Sequence, residues 1–227
     1  LTQSNGSNKA NIASAYEAIK NAIIRQELQP GTWLREQMLC RTLGLGRSSI
    51  RNALQILASE GYVTLIPNRG ARIVSFTKDQ LGQLLSVKTE MEKFALSLSY
   101  SSYTKENLAY LEQLVREEQA AVENSDFRTY LEIIFQFYGY IVDKAGNEYL
   151  SAAFQMLNNR YTVYLALYDA FYQVPSGKSL SSAKYHRKLL ACIERGNLTS
   201  INRSLDSISE WVLRSYSISP SNMPIPR

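Results

Sequence analysis

Apolar and polar positions along the chain follow two regimes. In the first, Ile12, Tyr16, Ile19 and Ile23 recur at helical spacing and predict an amphipathic helix over 11–26. Pro30-Gly31 marks a turn, after which Trp33-Leu34 lead into a short helix with Leu39 and Leu43 inward. Gly44-Leu45-Gly46 forms a tight connection, where glycine can take the positive φ that a sharp reversal needs. The helix that follows opens at Arg47 and stops at Gly61. Ile50, Ala53, Leu54 and Leu57 lie on its packing face, while Arg47 and Arg51, one turn apart, share the opposite face. Two β-rich runs, 62–66 and 71–74, are joined by Pro67-Asn68-Arg69-Gly70 as a hairpin. Helix, turn, helix and charged hairpin in that order are the layout of a winged helix-turn-helix.

From Thr77 onward strand signals end and helical periodicity takes over. Leu81, Leu84, Leu85, Met91, Ala95 and Leu98 mark one helix, and Leu108, Leu111 and Val115 the next. Residues 127–143 are apolar nearly all round, which predicts a central helix ended by Ala145-Gly146-Asn147. Residues 148–172 form an aromatic-rich helix and Pro175-Ser176-Gly177 a loop. Helices at about 180–195 and 198–215 close the bundle. The fold class is therefore mainly α, a winged helix-turn-helix followed by an all-helical bundle. The expected division is a disordered leader over 1–10, the winged helix over 11–76, the helical domain over 77–217 and a tail over 218–227.

Charge sharpens this division. Residues 1–77 hold nine Lys and Arg against four Glu, a net +5, so the whole excess of the chain (25 basic, 20 acidic) lies there. Cation density confined to one segment suits a polyanionic partner, because counterion release needs the charges at the contact surface. Long guanidinium forks beside short hydroxyls on an exposed helix face suit phosphates and guanine edges in a major groove. No apolar run approaches the roughly 20 residues that span a bilayer, and the polar start lacks a signal-peptide core. A cytoplasmic protein with no membrane partner is expected. Cys40 and Cys192, far apart and without partner spacing, read as buried free thiols. No histidine-cysteine or histidine-serine-acid constellation is evident around the one histidine, a metal hydrolase would need ligands that the sequence lacks, and no GxxxxGK[ST] or GxGxxG loop occurs, so the chain is not expected to be an enzyme.

Residues 30–74, PGTWLREQMLCRTLGLGRSSIRNALQILASEGYVTLIPNRGARIV, resemble the DNA-binding domain of GntR-type bacterial transcription factors. The matches run from Pro30, Gly31, Leu34 and Glu36 through Leu43, Gly44, Arg47, Arg51 and Leu54 to Glu60, Gly61 and Pro67-Asn68-Arg69-Gly70. The resemblance implies a homodimer whose paired winged helices read a palindromic double-stranded operator, acting as a repressor. It places Arg35, Gln37, Arg47, Ser48, Ser49, Arg51, Asn68, Arg69 and Gly70 at the DNA, with Arg69 and Gly70 setting the wing. Gln37 stands where many members carry a basic residue. Gly46 replaces a capping Ser or Thr, a loss of a few tenths of a kcal/mol relative to about 0.5–2 kcal/mol for alanine, so the helix is expected to form.

The helical half resembles the ligand-binding domain of the FadR subgroup, the FCD type, through element order, Phe137 ahead of Ala145-Gly146-Asn147, and Tyr185-His186 ahead of Gly196-Asn197. Many members bind a divalent metal there with one Asp and three His. At the matching positions this chain offers Ile134, Tyr138, His186 and Ile208, so no metal and no other cofactor is expected. Lys88 and Glu92 fall on the inward stripe, either as a structural i,i+4 bridge or as ligand groups. Lys88, Glu92, Tyr138, Arg160, Tyr164, Tyr185 and His186 are the candidate pocket residues. Lys88 and Arg160 would favour an anionic metabolite, an organic acid or sugar acid, and the tyrosines an apolar or planar body. The rival readings are an effector-independent or metal-using regulator whose helical domain only dimerises, and an enzyme with an appended winged helix.

Overall fold

A computed structural model describes residues 2–67, 69–168 and 182–215, with side chains from residue 8 onward. Asn68, the aromatic pair Phe171 and Tyr172, the loop at 175–177 and the tail at 218–227 lie outside the described residues. The chain divides into two compact units, Leu1–Phe76 and Thr77–Arg227.

The first unit opens with helix α1 (Thr2–Ile24), followed by strand β1 (Trp33–Leu34), helices α2 (Glu36–Leu43) and α3 (Arg47–Ser59), and strands β2 (Val63–Ile66) and β3 (Gly70–Ile73). The leader expected over 1–10 is instead helical from Thr2. Part of the reason is tertiary, because the Asn8 side chain accepts a hydrogen bond from Ser49 Oγ at 3.2 Å and ties α1 to α3. Ile19, Ile23, Ile50, Ala53, Leu54 and Leu57 are buried, so the apolar stripe of α3 packs as its spacing implies.

Strand β1 was not apparent in the sequence. Its two residues pair antiparallel with Ala71 and Arg72 and place β3 in the centre of a three-stranded sheet, order β1-β3-β2. Gly70, at φ +97°, is obligatory there, since a Cβ would stand 2.6 Å from the Leu34 carbonyl oxygen. Its close approach is therefore to the protein's own β1. Gly44 ends α2 in the left-handed region at φ +65°, whereas Gly46 is extended and caps α3 with no side-chain bond. The α3 helix forms nonetheless, as expected for glycine at that position.

The second unit contains α4 (Lys78–Ser99), a 3₁₀ turn (Tyr100–Ser102), α5 (Lys105–Glu123), α6 (Phe127–Asp143), α7 (Glu148–Tyr168), α8 (Ala183–Glu194) and α9 (Leu198–Ser215). Thr77 and Thr104 start α4 and α5 with reciprocal capping boxes to Gln80 and Asn107. The central helix is α6, which packs against α4, α5 and α7 and buries Phe127, Ile133, Ile134, Phe137, Tyr138 and Ile141. On α4 the inward stripe is Leu81, Leu85, Lys88, Thr89, Glu92, Ala95 and Leu96. Leu98 is exposed, and Leu84 and Met91 are half-buried, so the stripe is rotated from the one expected.

Candidate nucleic-acid interface and helical interior

Helix α3 presents Arg47, Arg51 and Gln55 at successive turns, all exposed. They line one wall of an open concavity of about 1040 Å³. Arg35 and Gln37, from the start of α2, face it, and Arg69 and Gly70 join from the hairpin. Its apolar surface comes from Trp33, Leu65, Ile66 and Pro67. Trp33 is partly covered by the Arg72 guanidinium, 5.8 Å from the indole centroid. The concavity thus combines guanidinium and amide donors with apolar patches, a set that can meet phosphate oxygens, base edges and thymine methyls.

Glu36 is the acid on this surface. Arg51 donates to it through Nε (3.1 Å to Oε1) and Nη2 (2.9 Å to Oε2). That fork holds the Glu36 carboxyl below its usual range, opposed by partial burial and reinforced by the Arg51 and Arg47 charges. The pair fixes the direction of Arg51 and leaves Nη1 and one proton of Nη2 facing away. Ser48 is exposed, but Ser49 is not: at 3% exposure it belongs to the α1–α3 packing and donates to Asn8, which removes it from the contact surface. Gln55 was missed in the sequence, although its position two turns beyond Arg47 was sufficient to place it on the same stripe.

In the helical unit the predicted pocket residues separate. Lys88, Glu92, Tyr138 and His186 come together, each buried. Lys88 is ion-paired with Glu92 and lies over the Tyr138 ring. The Tyr138 hydroxyl is 3.0 Å from His186 Nε2, and His186 Nδ1 is 2.7 Å from Glu118 Oε2. Ser182 Oγ donates to Glu118 Oε1 at 2.7 Å. Burial, then the Tyr161 hydroxyl and the Glu92 and Glu118 carboxylates, push the Tyr138 hydroxyl well above its ordinary range, so it stays protonated and can donate to Nε2 while Nδ1–H donates to Glu118. Desolvation lowers Lys88 and raises Glu92, and their mutual attraction opposes both shifts.

Arg160 is exposed on α7, away from this cluster, because its position falls on the outer stripe of that helix. Tyr164 stacks on Tyr168, centroids 4.8 Å apart, and half-buried Tyr185 lies against Trp211 at 5.2 Å. Glu118 was absent from the expected set, yet it continues the inward stripe of Leu111, Leu114 and Val115. The positions matching a metal shell hold buried Ile134 and Ile208, which have no donor atoms, and Tyr138 is committed to His186. Among the described residues no cluster of three or more His, Cys, Asp or Glu is placed to hold a metal ion, and these residues do not fit one.

Comparison with known proteins agrees with both units. Residues 11–73 match the model of bacterial regulatory proteins of the gntR family, and residues 83–208 match the FCD domain. The chain is 26% identical over 145 residues to the uncharacterized HTH-type transcriptional regulator YdhC of Bacillus subtilis, covering 63% of this chain and 65% of that protein. It is 33% identical over 84 residues to the HTH-type transcriptional repressor GlaR of Escherichia coli, covering 37% and 38% respectively. The matched stretches thus span less than two thirds of either relative. The fold is that of Escherichia coli McbR/YncC, with TM-score 0.69 at 20% identity over 91% of this chain and 97% of that one. An exposed arginine-bearing helix with its wing, an all-helical unit following it in the chain and two ordered family matches together place this chain in the gntR family of bacterial transcription regulators, in the group that carries an FCD domain.

Proposed function

We propose that the protein is an operator-binding repressor that acts as a homodimer under the control of a small molecule. The observation that carries the DNA reading is the single concave surface shared by Arg35, Gln37, Arg47, Arg51, Gln55 and Arg69. Arg47 and Arg51 enter the major groove, and Arg69 meets the backbone beside it. The test is selection of a duplex from a random pool, followed by binding across a salt series. Arg69→Ala should weaken all sequences alike and reduce the salt slope by about 1 per protomer. A sequence-dependent loss with an unchanged slope would reassign the wing.

The homodimer reading rests on α4. Leu84, Val87, Met91, Phe94 and Leu98 recur at alternating spacings of three and four, the repeat with which two helices interlock. Val87, Phe94 and Leu98 are each about half exposed, at 52%, 51% and 51%. A second copy of the same helix is the occupant that a two-fold operator calls for. Val87→Glu with Phe94→Glu should convert the protein to a monomer in light scattering and abolish tight binding to a full operator. A dimer that survives both changes would place the interface elsewhere.

Effector control belongs to the FCD domain in this reading. Exposed Arg160 withdraws one of the two cations that argued for an organic acid or sugar acid, so an acidic effector would rest on Lys88 alone. A thermal-shift screen of such acids tests it, a hit abolished in Lys88→Met supporting the reading.

A further inference from the structure

Three elements of the helical unit, α4, α6 and α7, meet at one ammonium. Lys88 Nζ lies 3.4 Å from the Tyr138 ring centroid, 4.7 Å from that of Tyr161 and 5.4 Å from that of Phe154. Tyr138 comes from α6, and Tyr161 and Phe154 from one face of α7. Glu92, one turn along α4, supplies the counter-charge. His186 of α8 stands near enough to bear on Glu92, and Glu118 of α5 closes the far side through His186. Lys88 and Glu92 are each 3% exposed, so bulk water provides little of the solvation.

An ammonium has three N–H groups, and here one carboxylate and two near ring faces meet them. Ring faces are poor hosts for a neutral amine and good hosts for a cation, because their quadrupole attracts positive charge. An aromatic box with an acid at its base is the arrangement that recognises organic ammonium ligands. A simple structural bridge needs only the i,i+4 pair and no enclosure by rings.

We infer that the interior of the helical domain is an ammonium-recognition site occupied by the chain's own Lys88 head group, which acts as a built-in ligand. The ligand class of the site is a primary alkylammonium of up to three carbons, the length of side chain that lysine carries beyond its Cβ. This inference stands on the helical unit alone and is independent of the DNA-binding reading.

The test is chemical replacement in the full-length protein. Lys88→Ala deletes the equivalent of n-propylammonium and should lower the thermal midpoint of the helical domain. Added n-propylammonium should raise that midpoint again by about 2–4 °C once its concentration exceeds its dissociation constant several-fold. Equal concentrations of n-propanol or sodium chloride should not raise it, and wild type should not respond. Recovery by propanol as well would show an apolar cavity, and no recovery by propylammonium would show that no ammonium site exists; either overturns the inference. Lys88→Met, which keeps the stem and removes the charge, covers the case in which Lys88→Ala cannot be obtained folded. It should melt below wild type, and a midpoint equal to or above wild type overturns the inference by itself.

Discussion

Glu36→Gln separates the two roles that the Arg51 fork can play. In the folded protein Glu36 takes both Nε and Nη2 of Arg51, so one cation of the surface proposed to meet DNA is offset by an adjacent anion and is held at a fixed angle. Glutamine keeps the shape of the side chain but removes the charge, and its amide can satisfy only one of the two donors. A dimer would then present two additional uncompensated cations. With about 0.9 counterions released per contact, the slope of log affinity against log salt should steepen by up to about 1.8. Over a fourfold rise in salt that is roughly a tenfold greater loss of affinity. Affinity for scrambled duplex at low salt should rise, while discrimination between operator and scrambled duplex should fall, because Arg51 is no longer aimed. Fluorescence anisotropy on both duplexes across a salt series reads both quantities. An unchanged slope together with unchanged discrimination would show that the fork has no part in binding. The pH dependence has a definite sign: the fork lowers Glu36 from its ordinary value of 4.5, so it is present above that value and is lost as pH falls through the lowered one. Wild type should therefore behave like Glu36→Gln only in acid below the ordinary carboxylate range.

Three further outcomes follow from single contacts. Gly70→Ala places a Cβ against the Leu34 carbonyl at positive φ, should destabilise the winged helix by about 1–3 kcal/mol, and should lower operator affinity through a displaced wing; an unchanged thermal midpoint would refute the obligatory approach. Glu118→Ala strips both His186 and Ser182 of their acceptor in a buried setting, should cost about 1–3 kcal/mol for each donor left unpaired by denaturant titration of the helical domain, and should leave the winged helix intact. Gln55→Ala should relax base preference at one position of each half-site with the salt slope unchanged, as expected for a base-edge contact rather than a phosphate contact; a change in slope alone would contradict that role.

The parts of the molecule that the sequence made legible are those governed by local periodicity. The packing face of α3 and the apolar belt of α6 follow from side-chain spacing, and the hairpin from its turn residues. What escaped is set by partners distant along the chain. Strand β1 is two residues long and exists only because β3 pairs with it. Ser49 sits at the first turn of α3, where the spacing leaves either side open, and it turns inward because Asn8 of α1 offers an acceptor. Arg160 has the right chemistry for a pocket but the wrong phase on α7. Lys88 and Glu92 were placed inward by their spacing, yet only the surrounding rings of α6 and α7 show what holds them there. Gln55 and Glu118, by contrast, continued stripes already visible in the sequence.

The central claim is that the exposed arginines of α3 read duplex DNA. It is tested most directly by titrating wild type and Arg47→Ala against a selected palindromic duplex and its scrambled counterpart at fixed salt. Arg47→Ala should lose roughly 5- to 150-fold per half-site for the selected duplex, together with relaxed preference at one base pair of each half-site. Equal affinity of the two proteins for both duplexes would contradict it.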